Sequence, residues 1–419
     1  ATGRYVHQVR HWDNAMPYAG VNRGWGHVLQ DNGVRVESIG KLHYRAAEDP
    51  AGFDVEHIPM NVHDGVGMVW GSIRNPLPAA RTHRMLGDYI GPGESHYTRY
   101  DRSVADLTVD WLQHAARRTT AEPWVLYVGL VAPHFPLVAP QEFFDLYPID
   151  AMPPSKLHPK NGYQQHPWIA AMDAYWPHDA GFKDQTERNT AIAAYHALCS
   201  WLDHNVGKIT STLTQTGLDA STRVIYTSDH GDNVGARGLW GKSNLYQESV
   251  SVPMLVAGPG VEATRCTTPV SLVDLFPTIL DAVGIDPTPA MDDRPGASLF
   301  SLASEPDAPE RAVLSEYHAV GSTDGAFMLR KGRWKYHHYV GYAPELFDLA
   351  EDPEEMVDLA AMPAYADVLE RMDNELRAIC IPEDVDALAK SDQAALIESH
   401  GGREAALSVG APGATPPPS

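Results

Sequence analysis

The sequence predicts an α/β protein, a mostly parallel sheet flanked by helices with a smaller antiparallel sheet after it, and three observations predict it. Compact apolar runs such as "PWVLYVGLVAPHFP" (123–136) have the character of parallel strands buried on both faces. Amphipathic stretches separate them, the longest being "TERNTAIAAYHALCSWLDHNVGKITSTL" (186–213). After residue 310 the pattern changes to short strands and tight turns in "DGAFMLRKGRWKYHHYVGYAPELFDLAEDPEE" (324–355), an antiparallel meander.

The first forty residues are turn-rich, after which "VRVESIGKLHY" (34–44) alternates like a short strand. From Asp101 to Arg118 the apolar positions Val104, Leu107, Trp111 and Leu112 recur at helical spacing. The run 123–136 is a buried strand ended by prolines, and residues 140–185, rich in Pro, His and aromatics, make an excursion over the surface. In the long helix that follows, Ile192, Tyr195, Leu198, Leu202, Val206 and Ile209 form one stripe. "STRVIYTSDHG" (221–231) and "VSVPMLVAGPG" (250–260) are strands, and "SLVDLFPTILDAVG" (271–284) is a helix closed by Gly284. The expected division is 1–309 for the larger α/β domain, 310–405 for a subdomain of antiparallel meander and helix, and 406–419 for a disordered tail. Sheets of the first kind gather ligands at the carboxyl ends of their strands.

Thirty-two Lys and Arg stand against 54 Asp and Glu, a formal charge of −22, which excludes nucleic acid as the main partner because phosphate neutralisation needs a basic face. A small anion stays admissible where the site is locally basic. No run reaches the roughly eighteen apolar residues of a membrane span, so none is expected. Cys199, Cys266 and Cys380 are too few and too scattered for a disulfide framework or a CxxC knuckle, and Cys199 reads as a core residue on a helical apolar face. Low cysteine usage points to the cytoplasm, whereas a leader ahead of Ala1 would make the protein periplasmic or secreted. A homo-oligomer is left open.

Asp229 and His230 directly follow a β-run, so a carboxylate and an imidazole emerge together at a strand end. Such a pair is either a mixed O/N donor set for a divalent metal or a polar turn that caps the strand. Lys242 lies twelve residues beyond His230, across a loop with Gly231, Gly235, Gly238 and Gly241 that can fold back and aim an ammonium at an anion. A lone lysine is otherwise a surface residue. In "GKLHY", Lys41 and His43 share one face of an extended segment, and in "APHFP" His134 ends an apolar strand. Together these positions supply what transfer of a tetrahedral anionic ester group needs: a metal, cations for the nonbridging oxygens, and imidazoles for moving protons.

Those stretches also carry a resemblance. "TSDHGDNVGARGLWGKSNLYQESVSVPMLVAGPG" (227–260), "IGKLHYR" (39–45), "VAPHFPLVAP" (131–140), "VSLVDLFPTILDAVGI" (270–285) and "LRKGRWKYHHYVGYAPELFDLAEDPEEMVDLA" (329–360) resemble the sulfatase family of the alkaline-phosphatase-like superfamily, in the family's order and over nearly the whole chain. The similarity is greatest to its choline-sulfatase-like and arylsulfatase members. It implies an alkaline-phosphatase-like fold and a hydrolase that cleaves a small-molecule sulfate ester, using a formylglycine nucleophile beside a divalent cation. By position, Asp229 and His230 are implied metal ligands. Calcium is the usual ion, and manganese or magnesium stay open because many members have Asn where this chain has His230. Lys41 is implied to bind the sulfate and bridge to the nucleophile, and His43 to take a proton from the formylglycine hydrate. Lys242 and His134 are implied to hold the ester oxygen and protonate the leaving group, and Asn14, in "HWDNAMPY", to contact the sulfate.

In the family the first strand, the first acidic ligands and the nucleophile motif precede "TGRY", where this chain begins. Formylglycine is therefore expected upstream of Ala1, with the missing N-terminal segment as a partner, and the 419 residues alone are expected to be poorly soluble or inactive. Arg4 is expected to be a structural turn residue, His337 and His338 packing or surface residues, and Trp240 a pocket wall or packing residue. Two other readings compete. One is a phosphonate or phosphodiester hydrolase of the same superfamily, against which stands the Tyr-x-Thr that the phosphonate branch carries in place of Lys41-x-His43. The other is an inactive binding protein on a sulfatase fold. Loops within 60–100 and 150–185 are expected to wall the pocket, and the sequence does not name the leaving alcohol.

Overall fold

The computed structural model describes residues 1–79, 86–87, 89–119, 122–291, 293–410 and 415–418. Strand β1 (Arg35–Lys41) is the middle of a three-stranded parallel sheet, between β2 (Val55–Met60) and β3 (Trp124–Gly129). The period of two sorts their side chains. Val36 and Val125 join Trp25, Leu29, Phe276 and Leu280 on one face, while Ile39, Leu126 and Val128 join Val104, Trp111, Leu112 and Leu213 on the other. Helices on both faces explain why these strands read as apolar runs.

Helices α1 (His96–Ala115) and α2 (Gln185–Thr216) cover the second face. Each starts on a side-chain cap: Ser95 Oγ accepts from Thr98 N at 3.1 Å, and Asp184 Oδ1 from Glu187 N at 2.8 Å. The Ser95 cap sets the start of α1 five residues before the Asp101 that periodicity alone suggested. Gly217 ends α2 with a φ of 74°, a left-handed stop that costs glycine little.

Strands β4 (Val224–Thr227) and β5 (Met254–Ala257) pair antiparallel, because the loop 228–253 between them leaves and re-enters at the same end. The stretch 271–284 begins with a 3₁₀ turn, Leu272–Asp274, before α3 (Leu275–Ala282), and Gly284 (φ 80°) closes it as expected.

Strands β6 (Val313–Tyr317), β7 (Ala326–Lys331), β8 (Trp334–Tyr339) and β9 (Glu345–Asp348) form the antiparallel sheet, in the order β9-β8-β7-β6. β7 and β8 turn tightly at Gly332, whose φ is 60°. β6 is a fourth strand beyond the predicted three. Phe327, Leu329, Tyr336 and Leu346 face α4 (Ala366–Ile379) with its Met372 and Leu376, and α5 (Pro382–Ser399) with its Val385. Ala326, Met328, Tyr339 and Phe347 face the larger half, against Trp168, Ile169, Leu239 and Tyr246. That second face therefore backs the 228–253 loop.

Within the expected disordered tail, Ala406 is buried at the end of a short helix (Gly402–Ala406), and Thr415 lies in the large cavity described below. Residues 411–414 and 419 lie outside the described residues. Among the described residues no helix is long and apolar enough to cross a membrane.

Candidate active site

Strand ends place most of the site. Lys41 is the last residue of β1, and the chain then turns through His43, whose φ is 61° and whose N–H donates to Met60 O at 2.9 Å. His134 follows β3, Asp229 and His230 follow β4, and Lys242 comes from the loop 228–253. All six line one cavity of about 1280 Å³. Asn14 lines the same cavity with an exposed side chain.

Asp229 is the hub. Its Oδ2 lies 3.7 Å from Lys41 Nζ and 3.4 Å from His230 Nε2. His230 Nδ1 is 2.8 Å from Gly231 O, and His134 Nδ1 is 2.7 Å from Phe135 O. A carbonyl oxygen only accepts, so each Nδ1 carries the proton and each neutral ring keeps a lone pair at Nε2. In His230 that lone pair receives Lys242 Nζ at 2.7 Å.

Desolvation by the cavity walls and the neighbouring charges together set the ionisation states. Burial alone would raise the Asp229 carboxyl, but Lys41, His230 and Lys242 outweigh it and hold the group far below the usual carboxylate range. Lys242 is lowered to about 8, by burial first and then by Lys41. His43 and His230 are each lowered to about 4 by burial, with Lys41 and Lys242 adding to it at His43 and Lys242 at His230. His134 falls well below its ordinary value for the same reasons. At neutral pH the Lys242 ammonium, the Asp229 carboxylate and three neutral imidazoles thus share the site with Lys41.

Further residues belong here that sequence reasoning missed. Asp101, 1% exposed, accepts the N–H groups of Val131 (2.7 Å) and Ala132 (2.8 Å), tying the segment before His134 to α1. Its signal was a carboxylate on the apolar stripe of a helix, four residues after Tyr97 and on the same face. The Tyr97 ring packs edge-on to His134 with centroids 5.7 Å apart, and its hydroxyl donates to Thr415 O. Thr415 Oγ1 lies 3.1 Å from His43 Nε2, a contact from the far end of the chain that no local pattern encodes.

The base of the Lys242 loop is fixed from within, by the Asp232 side chain and the backbone. Asp232 Oδ1 accepts from both Val234 N and Gly241 N at 2.9 Å, and Asn233 N donates to Gly241 O at 2.8 Å. Trp240 is 5% exposed, lines the cavity and donates through Nε1 to Asp179 Oδ1 at 3.2 Å. Arg4 pairs with Asp293 (Nε to Oδ1, 2.9 Å) and lines the cavity. His337 is buried against Glu345 (3.2 Å), and His338 is half-buried near Asp373. Cys199 is half-buried, and Cys266 is exposed at the cavity rim. Residues from both anticipated wall regions line the cavity, Met68, Trp176 and His178 from loops but Tyr97 from α1 and Met172 and Asp173 from the helix Pro167–Tyr175.

As metal donors, Asp229 Oδ2 and His230 Nε2 suit one cation in chemistry and spacing. Among the described residues no third His, Cys, Asp or Glu completes a site with them, so the pair falls short of the six or so ligands that calcium takes.

Comparison with known proteins gives concordant matches. A family model described as "Sulfatase" matches residues 2–285, and one described as "N-sulphoglucosamine sulphohydrolase, C-terminal" matches 235–381. The chain is 32% identical over 378 residues to a choline-sulfatase of Rhizobium meliloti, covering 86% of this chain and 72% of that protein. It is 30% identical over 409 residues to arylsulfatase K of Bos taurus, covering 90% and 71%. Among solved structures, a phosphonate monoester hydrolase from Silicibacter pomeroyi superposes with a TM-score of 0.69 at 21% identity, covering 90% of this chain and 83% of that one. A 2-O GAG sulfatase does so with a TM-score of 0.67 at 22% identity, covering 93% and 81%; at these identities the two structures speak for the fold.

Proposed function

The chain belongs to the sulfatase family, and from that premise we propose that its cavity hydrolyses a small-molecule sulfuric ester with Lys41, His43, His134, Asp229, His230 and Lys242 as its working groups and Asn14 at the sulfate. One observation carries the reading: two ammoniums converge on a single carboxylate, Lys41 on Asp229 directly and Lys242 through His230. Cations in excess over the carboxylate favour an anionic ester in an otherwise acidic protein.

Lys41 neutralises a nonbridging oxygen. Lys242 is the proton donor to the departing oxygen, because an ammonium lowered to about 8 still carries its proton at neutral pH and gives it up readily. His134 presents a lone pair at Nε2 and takes up a proton only once the ester's negative charge is beside it. His43, neutral above about pH 4, holds or accepts a proton at Nε2. We place a divalent cation on Asp229 and His230, with its remaining ligands outside the described residues; when bound, it draws charge from the sulfuryl oxygens. The nucleophile in this reading is a formylglycine ahead of Ala1. The outer edge of β3, where Tyr127 is 40% exposed, supports placing that segment along the sheet.

Phe135, Met172 and Trp176 beside Asp173 fit an alcohol that is aromatic or carries a cationic head. The test is turnover by the complete enzyme of 4-nitrophenyl sulfate, choline sulfate, a carbohydrate sulfate and an aryl phosphonate monoester. Sulfate esters are expected to be preferred, with the aryl or choline ester first. A large preference for the phosphonate would replace the reading.

A further inference from the structure

The loop that carries Lys242 is held at two points by a single residue of the antiparallel half. Arg237, five residues before Lys242, donates through Nη2 to Glu355 O at 2.7 Å. Gln247, five residues after it, donates through its backbone N–H to Glu355 Oε2 at 2.8 Å. Lys335 on β8 closes the arrangement: its Nζ lies 2.5 Å from Glu355 Oε1 and 2.9 Å from Gln247 Oε1. The side chains of Arg237, Glu355 and Lys335 are all 0% exposed.

Two features show that this contact is specified rather than incidental. Arg237 and Glu355 both adopt the left-handed backbone region, with φ of 55° and 53°, a conformation disfavoured for any residue with a Cβ and kept only where the surroundings impose it. The Arg237 guanidinium also stacks 3.8 Å from the centre of the Tyr246 ring, and the Tyr246 hydroxyl donates to Glu345 Oε1 on β9 at 2.8 Å. Both ends of the segment 237–247 are therefore anchored on the antiparallel half, at Glu355 in the turn after β9 and at Lys335 on β8, with Lys242 at the midpoint. Buried charges of this kind contribute little net stability and are better at selecting one arrangement over others.

We infer that Glu355, with Arg237 and Lys335, is a positioning residue for Lys242: the antiparallel sheet holds the loop so that the ammonium reaches the departing ester oxygen. The inference rests on the reading of Lys242 given above. It assigns the smaller half a part in the chemistry beyond the lining that Glu316 and Tyr317 of β6 give the cavity.

The test compares Glu355→Ala, the near-isosteric Glu355→Gln and Arg237→Lys in the complete enzyme. Leu346→Ala serves as a control that loosens the same sheet on its opposite face. Two readouts are taken: kcat and KM for sulfate esters of graded leaving-group basicity, and backbone hydrogen exchange across 237–247. For Glu355→Ala, kcat on poor leaving groups is expected to fall by up to about a hundredfold with little change for 4-nitrophenyl sulfate, since a displaced proton donor matters most where the leaving group needs it. Exchange across the loop should rise. Glu355→Gln keeps one acceptor oxygen for Gln247 N–H but turns its amide N–H towards the buried Lys335 ammonium, so it should recover only part of both, and Leu346→Ala should leave the leaving-group dependence unchanged. The inference is overturned if Glu355→Ala and Arg237→Lys match the wild type in loop exchange and leaving-group dependence. Should Glu355→Ala not fold, Glu355→Gln and Arg237→Lys decide by the same readouts. If Lys242→Met leaves the leaving-group dependence intact, the functional reading fails instead, while loop exchange still decides whether Glu355 holds the loop.

Discussion

Lys242 Nζ donates to His230 Nε2 across 2.7 Å, and this lone pair is the one that a metal ion would need. His230 cannot offer the other nitrogen, because its Nδ1–H is committed to Gly231 O. The ammonium and a cation therefore compete for one donor atom and repel each other across it. Lys242→Met is expected to bind Mn²⁺ or Ca²⁺ at least as tightly as the wild type while losing about 10²- to 10³-fold in kcat, the usual cost of removing one charge-stabilising group. Titration calorimetry on the metal and steady-state kinetics check the two halves. Weaker metal binding in this variant would mean that Lys242 supports the cation site.

The pH profile follows from the same crowding. His43 must be neutral to take a proton, and burial with Lys41 and Lys242 lowers it to about 4, so the acid limb of kcat/KM lies near pH 4 and not at the ordinary 6.5. Lys242 must be protonated, so the alkaline limb lies near pH 8. Lys41→Met removes one of the cations that depress His43 and moves the acid limb upward. Lys242→Arg removes the alkaline limb, because a guanidinium keeps its proton throughout, and it lowers kcat because that proton no longer passes to the departing oxygen. A profile of kcat/KM from pH 3.5 to 10 measures both changes.

The strand ends were the legible part of this site. Asp229, His230 and His134 each follow an apolar run, and a run that stops at a polar pair already says where the side chains emerge. Lys242 was legible through the glycines around it. Asp101 was legible only as a carboxylate on an apolar stripe, since its partners are backbone N–H groups thirty residues away. Glu355 sits in "EDPEE", which reads as a solvated acidic turn, and only the folded chain brings Lys335 and Arg237 to it. β2 escaped notice because "VEHIPM" interleaves charged residues and a proline with its apolar ones, and its pairing to β1 is decided by a neighbour in space. β6, at "VLSEY", is likewise defined by its register with β7.

Asp101→Asn tests the tie between α1 and the segment before His134. Only one oxygen remains where two accepted, so an amide N–H faces one of the two backbone donors, at a cost of about 1–3 kcal/mol. Burial raises the Asp101 carboxyl to about 6, above its ordinary 3.8. A raised folded-state value means stability that is fully present below the ordinary value and lost as pH rises through about 6. The wild type should therefore lose stability between about pH 4 and 6 through this group, and Asp101→Asn should flatten that part of the curve. Urea unfolding at a series of pH values reads both effects.

Arg74 supplies the last test, of how the two halves stay together. Its side chain is 3% exposed and donates to Asp386 Oδ1 on α5 at 3.0 Å and to Ser322 O at 3.1 Å; Asp386 is 4% exposed and also accepts Gly325 N–H at 2.7 Å. Removing the guanidinium alone strands a buried carboxylate, and Arg74→Met should cost about 3–5 kcal/mol, less whatever Lys390 recovers from its own contact with Asp386. Replacing both charges, Arg74→Met with Asp386→Leu, leaves Gly325 N–H and Lys390 without that acceptor but removes the stranded charge, so the double variant should be less destabilised than the sum of the single changes. Chemical denaturation of the four proteins in the cycle gives the coupling directly. Strict additivity would show that the pair contributes nothing to holding α5 against the larger half.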